Sequence, residues 1–448
     1  MPIPVIVIFD VGKTNKKLFL FDEDYQVVLE RSVTFPETVD EDGFPCEDIE
    51  KLSSWVLESL AEVCTLKGYD VKAVNFSAYG ASLVYINENG KPLTPLYNYL
   101  KPYPSELSSA LYARYGGEER FCKQTASPAL GSLNSGLQLY KLKHQQPEVF
   151  KQVRYALHLP QYLSSLLTGE YHSDITSIGC HTAMWDFEKN RYHDWIEQEG
   201  LAAKLAPVAP AEKSVPVKDY KAGIGLHDSS AALIPYLVGF KEPFILISTG
   251  TWCISLNPFN QAPLTAEDLK QDCLCYLQYQ GKPVKASRLF SGHEHDQQVN
   301  RVVHHFGCNA GEFNDLTFDP NIVDRLKKEH SQILPSDEFI NESAFTTRDL
   351  AAFTDYAEAY HQLMIDLAQL QTISAKRLLN NPEVTRIYVD GGFSKNNIFM
   401  HLLAVAFPGM EVCAATAARA SAIGAALVLH KHWNTKSVPD NIVQLHPL

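Results

Sequence analysis

Four short stretches join small residues to groups that suit phosphate and proton chemistry, and each stands where an apolar run ends. The first is Asp10-Val11-Gly12-Lys13-Thr14, after Val5-Ile6-Val7-Ile8-Phe9. Gly12-Lys13-Thr14 matches the tail of a phosphate-binding P-loop, a pattern that needs a glycine five places before Gly12 and a helix after it. Val7 stands in the glycine position, and Lys16 to Asp22 is short and rich in aromatics, the character of a strand. The spacing therefore predicts a β-hairpin turn carrying Asp10, Gly12, Lys13 and Thr14, and whether that turn handles phosphate is open. The other three stretches are His227-Asp228-Ser229, Ser248-Thr249-Gly250-Thr251 and Asp390-Gly391-Gly392-Phe393-Ser394-Lys395-Asn396. Taken singly, each is also an ordinary turn, with hydroxyls and carboxylates satisfying nearby backbone amides.

The elements that must position these turns follow from periodicity. Strands are predicted at 4–10, 16–22 and 26–35, two of them almost wholly apolar, as buried central strands are. Ile49, Leu52, Val56, Leu60 and Val63 give a helix within 47–67 one apolar face, and Val71 to Phe76 returns to strand before Ser77-Ala78-Tyr79-Gly80. Residues 206–222 hold three prolines and no apolar period, and are read as a link between domains. Strands at Ala222 to Leu226 and Phe244 to Ile247 follow. Tyr356, Tyr360, Leu363, Leu367 and Leu370 mark a long helix, and Arg386 to Val389 a strand. Ser394 is the expected N-cap of a helix with Phe399, Leu402, Leu403 and Ala406 on one face. A last helix near 417–432 carries Ala422-Ile423-Gly424-Ala425-Ala426, small enough to pack closely on a sheet. The sum is a mixed-sheet α/β chain.

Composition narrows the class. A chain of 448 residues is long for one core, and two domains of roughly 200 residues are expected. Hydrophobic content of 45% and charged content of 20% are those of a globular protein. A formal charge of −13 disfavours nucleic-acid and anionic-membrane partners. The first apolar run is only about five residues long without a basic leader, and no window reaches the roughly 20 apolar residues of a membrane span. Nine scattered cysteines without a C-x-x-C pair suit reduced thiols in the cytoplasm, and structural zinc is not expected. His293-Glu294-His295-Asp296, with His304 and His305 downstream, reads either as hydrogen-bonded histidines lining a cleft or, if His-x-His lies on a strand, as a metal shell.

In this order and spacing the four turns resemble the signature set of the FGGY carbohydrate kinases, which belong to the superfamily of sugar kinases, Hsp70 and actin. The resemblance covers nearly the whole chain and includes "LHLPQYLSSLLTGEYHSDITSIG" at 157–179. It implies two ribonuclease-H-like domains with an interdomain cleft, divided as 1–215 and 216–448, and an ATP-dependent, Mg²⁺-dependent phosphotransferase acting on a small sugar in the cytoplasm, with room for a homodimer. It implies Asp228 as the catalytic base and Asp10 as the carboxylate on the metal side. Gly12, Lys13, Thr14, Thr249, Gly250 and Thr251 would face phosphates, and Gly391, Gly392, Ser394 and Asn396 the adenosine.

Elementary chemistry fits these roles: phosphoryl transfer needs positioned donors, a divalent ion and a base for the attacking hydroxyl. Glycines let amides approach phosphate, and Mg²⁺ keeps much of its water, so Asp10 would act through water. Lys13 stands where the family has Thr or Ser, and reads either as a point donor to phosphate or as a solvated turn lysine. Arg419 and His401 replace a usual glutamate and a frequent glutamine. Tyr79, Gly80, His227 and Asp228 are the expected sugar contacts, with Asn98 and Lys101 as further polar candidates and core packing as the alternative for Tyr79. His227 before Asp228 and Trp252 after Thr251 look like the rhamnulose and fuculose kinases, which implies a 6-deoxyketohexose. A pentulose, or a catalytically silent sensor of the same fold, is the rival.

Overall fold

The computed structural model describes residues 2–329, 342–379, 384–416 and 419–447. The chain divides into two compact units: Met1–Phe240 with Cys275–Pro283 and Arg419–Ile442, and Lys241–Leu274 with Val284–Ala418 and Val443–Leu448.

The first unit is built on a seven-stranded sheet. Its strands are β1 (Ile3–Val11), β2 (Lys16–Asp22), β3 (Val27–Val33), β4 (Tyr69–Ala78), β5 (Ser214–Val217), β6 (Tyr220–Gly223) and β7 (Leu226–His227). Their order is β5-β6-β4-β1-β2-β3, with β7 also on β4. The hairpin β1–β2 is antiparallel, while β4 runs parallel to β1, β6 and β7. Successive side chains of a strand point to opposite faces, and β1 shows the result. Val5, Val7 and Phe9 join one apolar cluster with Leu52, Val56 and Leu60 of helix α1 (Ile49–Cys64) and Tyr162 and Leu163 of α2 (Leu159–Thr168). Ile6 and Ile8 join another on the opposite face. Both faces are covered, which is why the strand reads as an unbroken apolar run.

That second cluster holds Ala231 and Ile234 of α4 (Asp228–Gly239) with Ala422, Ala425 and Ala426 of α8 (Ala420–Val428); α3 (Ile175–Ile178) lies between α2 and α4 in the chain. The small-residue stretch of α8 lies against a helix as well as the sheet: a Cβ on Gly424 would collide with the Ala231 carbonyl.

Residues 206–222 are not a link. They supply the hairpin β5–β6, with Val215 and Ala222 buried, and β6 pairs with β4. Strands of four residues are too short to show a period, and Pro216 lies in β5, an edge strand that tolerates it. The unit runs on to Phe240, so Asp228 stands in the first unit, although a division after residue 215 assigns it to the second.

A second seven-stranded sheet, in the second unit apart from Cys275–Leu277 and Pro283, is made of β8 (Phe244–Thr249), β9 (Cys253–Asn257), β10 (Cys273–Leu277), β11 (Pro283–Leu289), β12 (Arg386–Gly391), β13 (Glu411–Thr416) and β14 (Gln444–Pro447), in the order β10-β11-β9-β8-β12-β13-β14. Ile245, Ile247, Ile387 and Val389 pack with Val299 and Val302 of α5 (Ser291–Phe306), Leu363, Leu367 and Leu370 of α6 (Tyr356–Lys376) and Phe399, Leu402 and Leu403 of α7 (Asn397–Ala406). Among the described residues no helix is long and apolar enough to cross a membrane.

Candidate active site

In the first unit, register brings three turns together. Ser77 of β4 pairs with Asp10 on one side and Leu226 on the other, and Ala78 pairs with Val11 and His227. Asp10, the Ser77–Gly80 segment and His227-Asp228 therefore occupy three neighbouring strand ends. Between β6 and β7 the chain kinks at Gly225, whose φ of +84° favours glycine. The kink is held from both sides. Asn75 Oδ1 accepts from Gly225 N at 3.1 Å, and Gln161 Nε2 donates to Gly225 O at 2.9 Å. The 157–179 segment completes the support: the Thr176 hydroxyl accepts from His227 N at 3.0 Å and donates to Asp174, which caps α3.

Asp228 opens α4 with 32% of its side chain exposed. Its Oδ1 accepts from Ser229 N at 2.6 Å, and burial raises its carboxyl to about 6. Asp10 Oδ2 accepts from the Ser421 hydroxyl at 3.0 Å, and burial followed by the charge of Asp228 raises it likewise to about 6. The Asp10 carboxylate, whose charge is disfavoured by burial and by Asp228, suits a divalent cation nearby. No group of three or more His, Cys, Asp or Glu side chains gathers as a metal shell among the described residues. Such a set suits Mg²⁺, which takes one or two carboxylates, water and substrate phosphate, better than it suits zinc.

The first turn is a hairpin, closed by Gly12 N donating to Asn15 O at 2.9 Å. Lys13 does not point freely into solvent. Its ammonium lies 3.2 Å from Glu47 Oε1 and 3.3 Å from Glu37 Oε1. The buried Lys16 reaches Glu47 Oε2 at 2.8 Å, and the Tyr79 hydroxyl donates to Glu47 Oε1 at 2.7 Å. The exposed Thr14 keeps the reading of an available donor. Glu47 is the residue that sequence reasoning missed, because nothing local ties it to the turn. Tyr79 is itself buried, with Tyr99 edge-on at 6.1 Å. Gly80 has a packing reason: a Cβ there would lie 2.9 Å from the His227 ring and 3.0 Å from Cys180 Sγ. Lys101 is engaged by Asp40 at 2.5 Å and Asp42 at 2.6 Å, and Asn98 Oδ1 accepts from Leu100 N.

In the second unit, Thr249 of β8 pairs with Gly391 of β12, and the turns beyond them line a cavity of about 520 Å³ with Gly292, His295 and Tyr360. Gly250, Thr251, Gly392 and Asn396 are in its wall. The Thr249 hydroxyl latches the two turns together: it donates to Asp390 O at 2.5 Å and accepts from Phe393 N at 3.0 Å. Gly391, at φ +91°, and Gly292 both pack where a Cβ would collide with the carbonyls of Thr249 and Gly250. Ser394 is not the helix cap, since its hydroxyl donates to Gly391 O at 2.7 Å. Asn396 caps α7 through Phe399 N and donates to the Tyr360 hydroxyl at 2.7 Å. His293 and His295 lie on the helix α5 and not on a strand, and His295 Nε2 meets Tyr360 at 3.1 Å. His295 lines the cavity, in keeping with the cleft-lining reading of its cluster, whereas Tyr360 and Gly292 were missed as cavity residues because helical periodicity reports the face toward the core, not the end that reaches a neighbouring turn.

Comparison with known proteins adds to this geometry. Residues 5–215 match the FGGY family of carbohydrate kinases, N-terminal domain, and residues 241–437 match the carbohydrate kinase FGGY, C-terminal domain. The chain belongs to the FGGY family of carbohydrate kinases. This FGGY chain is 24% identical over 274 residues to a rhamnulokinase of Halalkalibacterium halodurans, covering 55% of the chain and 54% of the relative. It is 24% identical over 231 residues to a rhamnulokinase of Oceanobacillus iheyensis, covering 48% and 47%. The matched stretches thus span about half the length of these relatives. A carbohydrate kinase from Novosphingobium aromaticivorans shares the fold with a TM-score of 0.80 at 23% identity, covering 100% of this chain and 94% of that one. A xylulose kinase from Lactobacillus acidophilus does so with a TM-score of 0.79 at 16% identity, covering 99% and 92%. The two α/β units are accordingly of the ribonuclease-H-like kind.

Proposed function

We propose that this FGGY chain transfers the γ-phosphoryl group of ATP to a hydroxyl of a small sugar, with a 6-deoxyketohexose such as rhamnulose or fuculose as acceptor. The observation that carries the reading is the register that sets Asp10 and His227-Asp228 on either side of Ser77-Ala78. Asp228 takes the hydroxyl proton, its raised carboxyl being basic enough near neutral pH to do so. Asp10 would hold Mg²⁺ through water, and that ion would neutralise charge on the phosphates. Thr14 and Thr251 donate to phosphate oxygens, the hairpin glycines Gly12 and Gly250 allow close approach, and Gly392 and Asn396 bound the adenosine in the 520 Å³ cavity, with Gly391 setting the turn behind them. Tyr79, Gly80 and the edge of the His227 ring border the sugar. The ion pairs of Lys13 support a role in holding the hairpin over one as a phosphate donor.

Two relatives named rhamnulokinase favour the 6-deoxy sugar, whereas the structural neighbour named xylulose kinase keeps a pentulose as the second reading. ADP release measured over rhamnulose, fuculose, xylulose and ribulose, with and without Mg²⁺, tests the reading. Mg²⁺-dependent release with a 6-deoxyketulose is expected. Release no faster than the sugar-free background with every sugar would leave a silent sensor.

A further inference from the structure

Behind Asp228 stand a thiol, an imidazole and a hydroxyl whose mutual hydrogen bonds the transfer reaction as proposed leaves unexplained. Cys180 Sγ lies 3.0 Å from His227 Nε2, and His227 Nδ1 lies 3.3 Å from Ser230 Oγ. All three side chains are buried. The Ser230 hydroxyl donates to the Leu277 carbonyl at 3.2 Å. A serine hydroxyl has one hydrogen. With that hydrogen given to Leu277, Ser230 Oγ can only accept from the ring, so Nδ1 of His227 carries the ring hydrogen. Burial holds the imidazole neutral, its pKa pushed down to about 3. Nε2 is therefore a lone pair, and the two groups facing it are the Cys180 thiol and Oδ1 of Asp228, at 3.2 Å.

We propose that Cys180, His227 and Ser230 form a one-way hydrogen-bond chain, thiol to imidazole to hydroxyl to carbonyl, that presents a lone pair and not an N–H to the carboxyl of Asp228. His227 is then a positioning residue for proton uptake. The opposite tautomer would donate a hydrogen bond to the ionised carboxylate, stabilise its charge and weaken it as a base. In the tautomer that Ser230 selects, the acceptor is in place before the proton arrives. The sugar O–H bond breaks and its proton binds Asp228. The sugar oxygen forms the new bond to phosphorus, and the electron pair of the cleaved P–O bond leaves with ADP. The protonated carboxyl can then donate to Nε2 in place of the Cys180 thiol. The other titratable groups whose charge is coupled to Asp228 are Asp10, on β1, and the Tyr99 phenol, neither of which supplies that acceptor. Gly80 serves the same arrangement, since a Cβ there would displace both the ring and the thiol.

The proposal rests on the kinase reading, and its test separates the two. In the full-length wild-type protein, ¹⁵N resonances of His227 are expected to show a protonated Nδ1 and an unprotonated Nε2. An Nε2–H or an imidazolium overturns the chain. In Ser230→Ala the ring loses its lock, and kcat is expected to fall roughly tenfold while the sugar KM stays within about twofold, with Ser230→Thr restoring kcat. An unchanged kcat in a folded Ser230→Ala protein, or an equal loss in Ser230→Thr, also overturns it. If wild-type protein releases no ADP with any sugar, the kinase reading fails while the tautomer still answers for the chain.

Discussion

Two lysines and a tyrosine converge on the carboxylate of Glu47, and this decides what the lysine of the first turn does. Lys16, with 2% of its side chain exposed, has Glu47 as its carboxylate partner, whereas Lys13 is 23% exposed and shares Glu47 with Glu37. Removing one partner of a buried pair leaves an uncompensated charge, so Glu47→Ala is expected to cost about 3–5 kcal/mol in urea unfolding. Lys13→Ala is expected to cost less than about 1 kcal/mol and to leave the ATP KM within about twofold, because the more exposed pair is weak. A large rise in ATP KM would return Lys13 to the phosphate. Asp228 belongs to the same scale. As the proposed base it acts in its ionised form, so with the carboxyl raised to about 6 the kcat/KM for sugar is expected to hold above that pH and to fall as pH drops through it. A profile flat down to about pH 4.5 would remove Asp228 from the base role.

At the scale of elements, the proposed base depends on how α4 is seated, because Asp228 is its first residue. Gly424 lets α8 approach the Ala231 carbonyl of α4, and Asn75 of β4 ties α8 down by donating to Ala425 O at 2.8 Å while also accepting from Gly225 N. Gly424→Ala should therefore force the helices apart, with a loss of about 1–3 kcal/mol in thermal or urea unfolding and a parallel fall in kcat. Full activity and stability in that variant would mean that the crossing does not set the base. Most of these elements were legible. The apolar period of α1 and α6 and the unbroken run of β1 report burial directly. The hairpin β5–β6 was not, because its pairing with β4 comes from a partner far away in the sequence. Ser394 was misassigned as a cap for a similar reason, its hydroxyl finding Gly391 O before any helix amide.

For the whole molecule, the units are not contiguous in sequence, and the first recruits Arg419–Ile442 from near the end of the chain. That segment supplies Ala422, Ile423, Leu427, Leu429 and Trp433 to the cluster on the α4 face of the sheet. A chain cut after Phe240 would expose that face, and it is expected to lose cooperative unfolding, measured as a sharp urea transition in far-UV circular dichroism. A fragment 1–240 that unfolds as sharply as the intact protein would show that the unit stands without α8.

The sequence by itself determined the chemistry on offer: the two carboxylates Asp10 and Asp228, the glycine turns at 12, 250 and 391, and the strands and helices that end in them. Those properties are local, set by residue type and period over a few neighbours. Only the tertiary structure decided that Lys13 faces Glu47, that the Thr249 hydroxyl is a latch, that Asp228 belongs with the first unit, and that His227 lies between Cys180 and Ser230. Each of those depends on a partner distant in the chain, and no periodicity carries the identity of a partner that folding alone brings near.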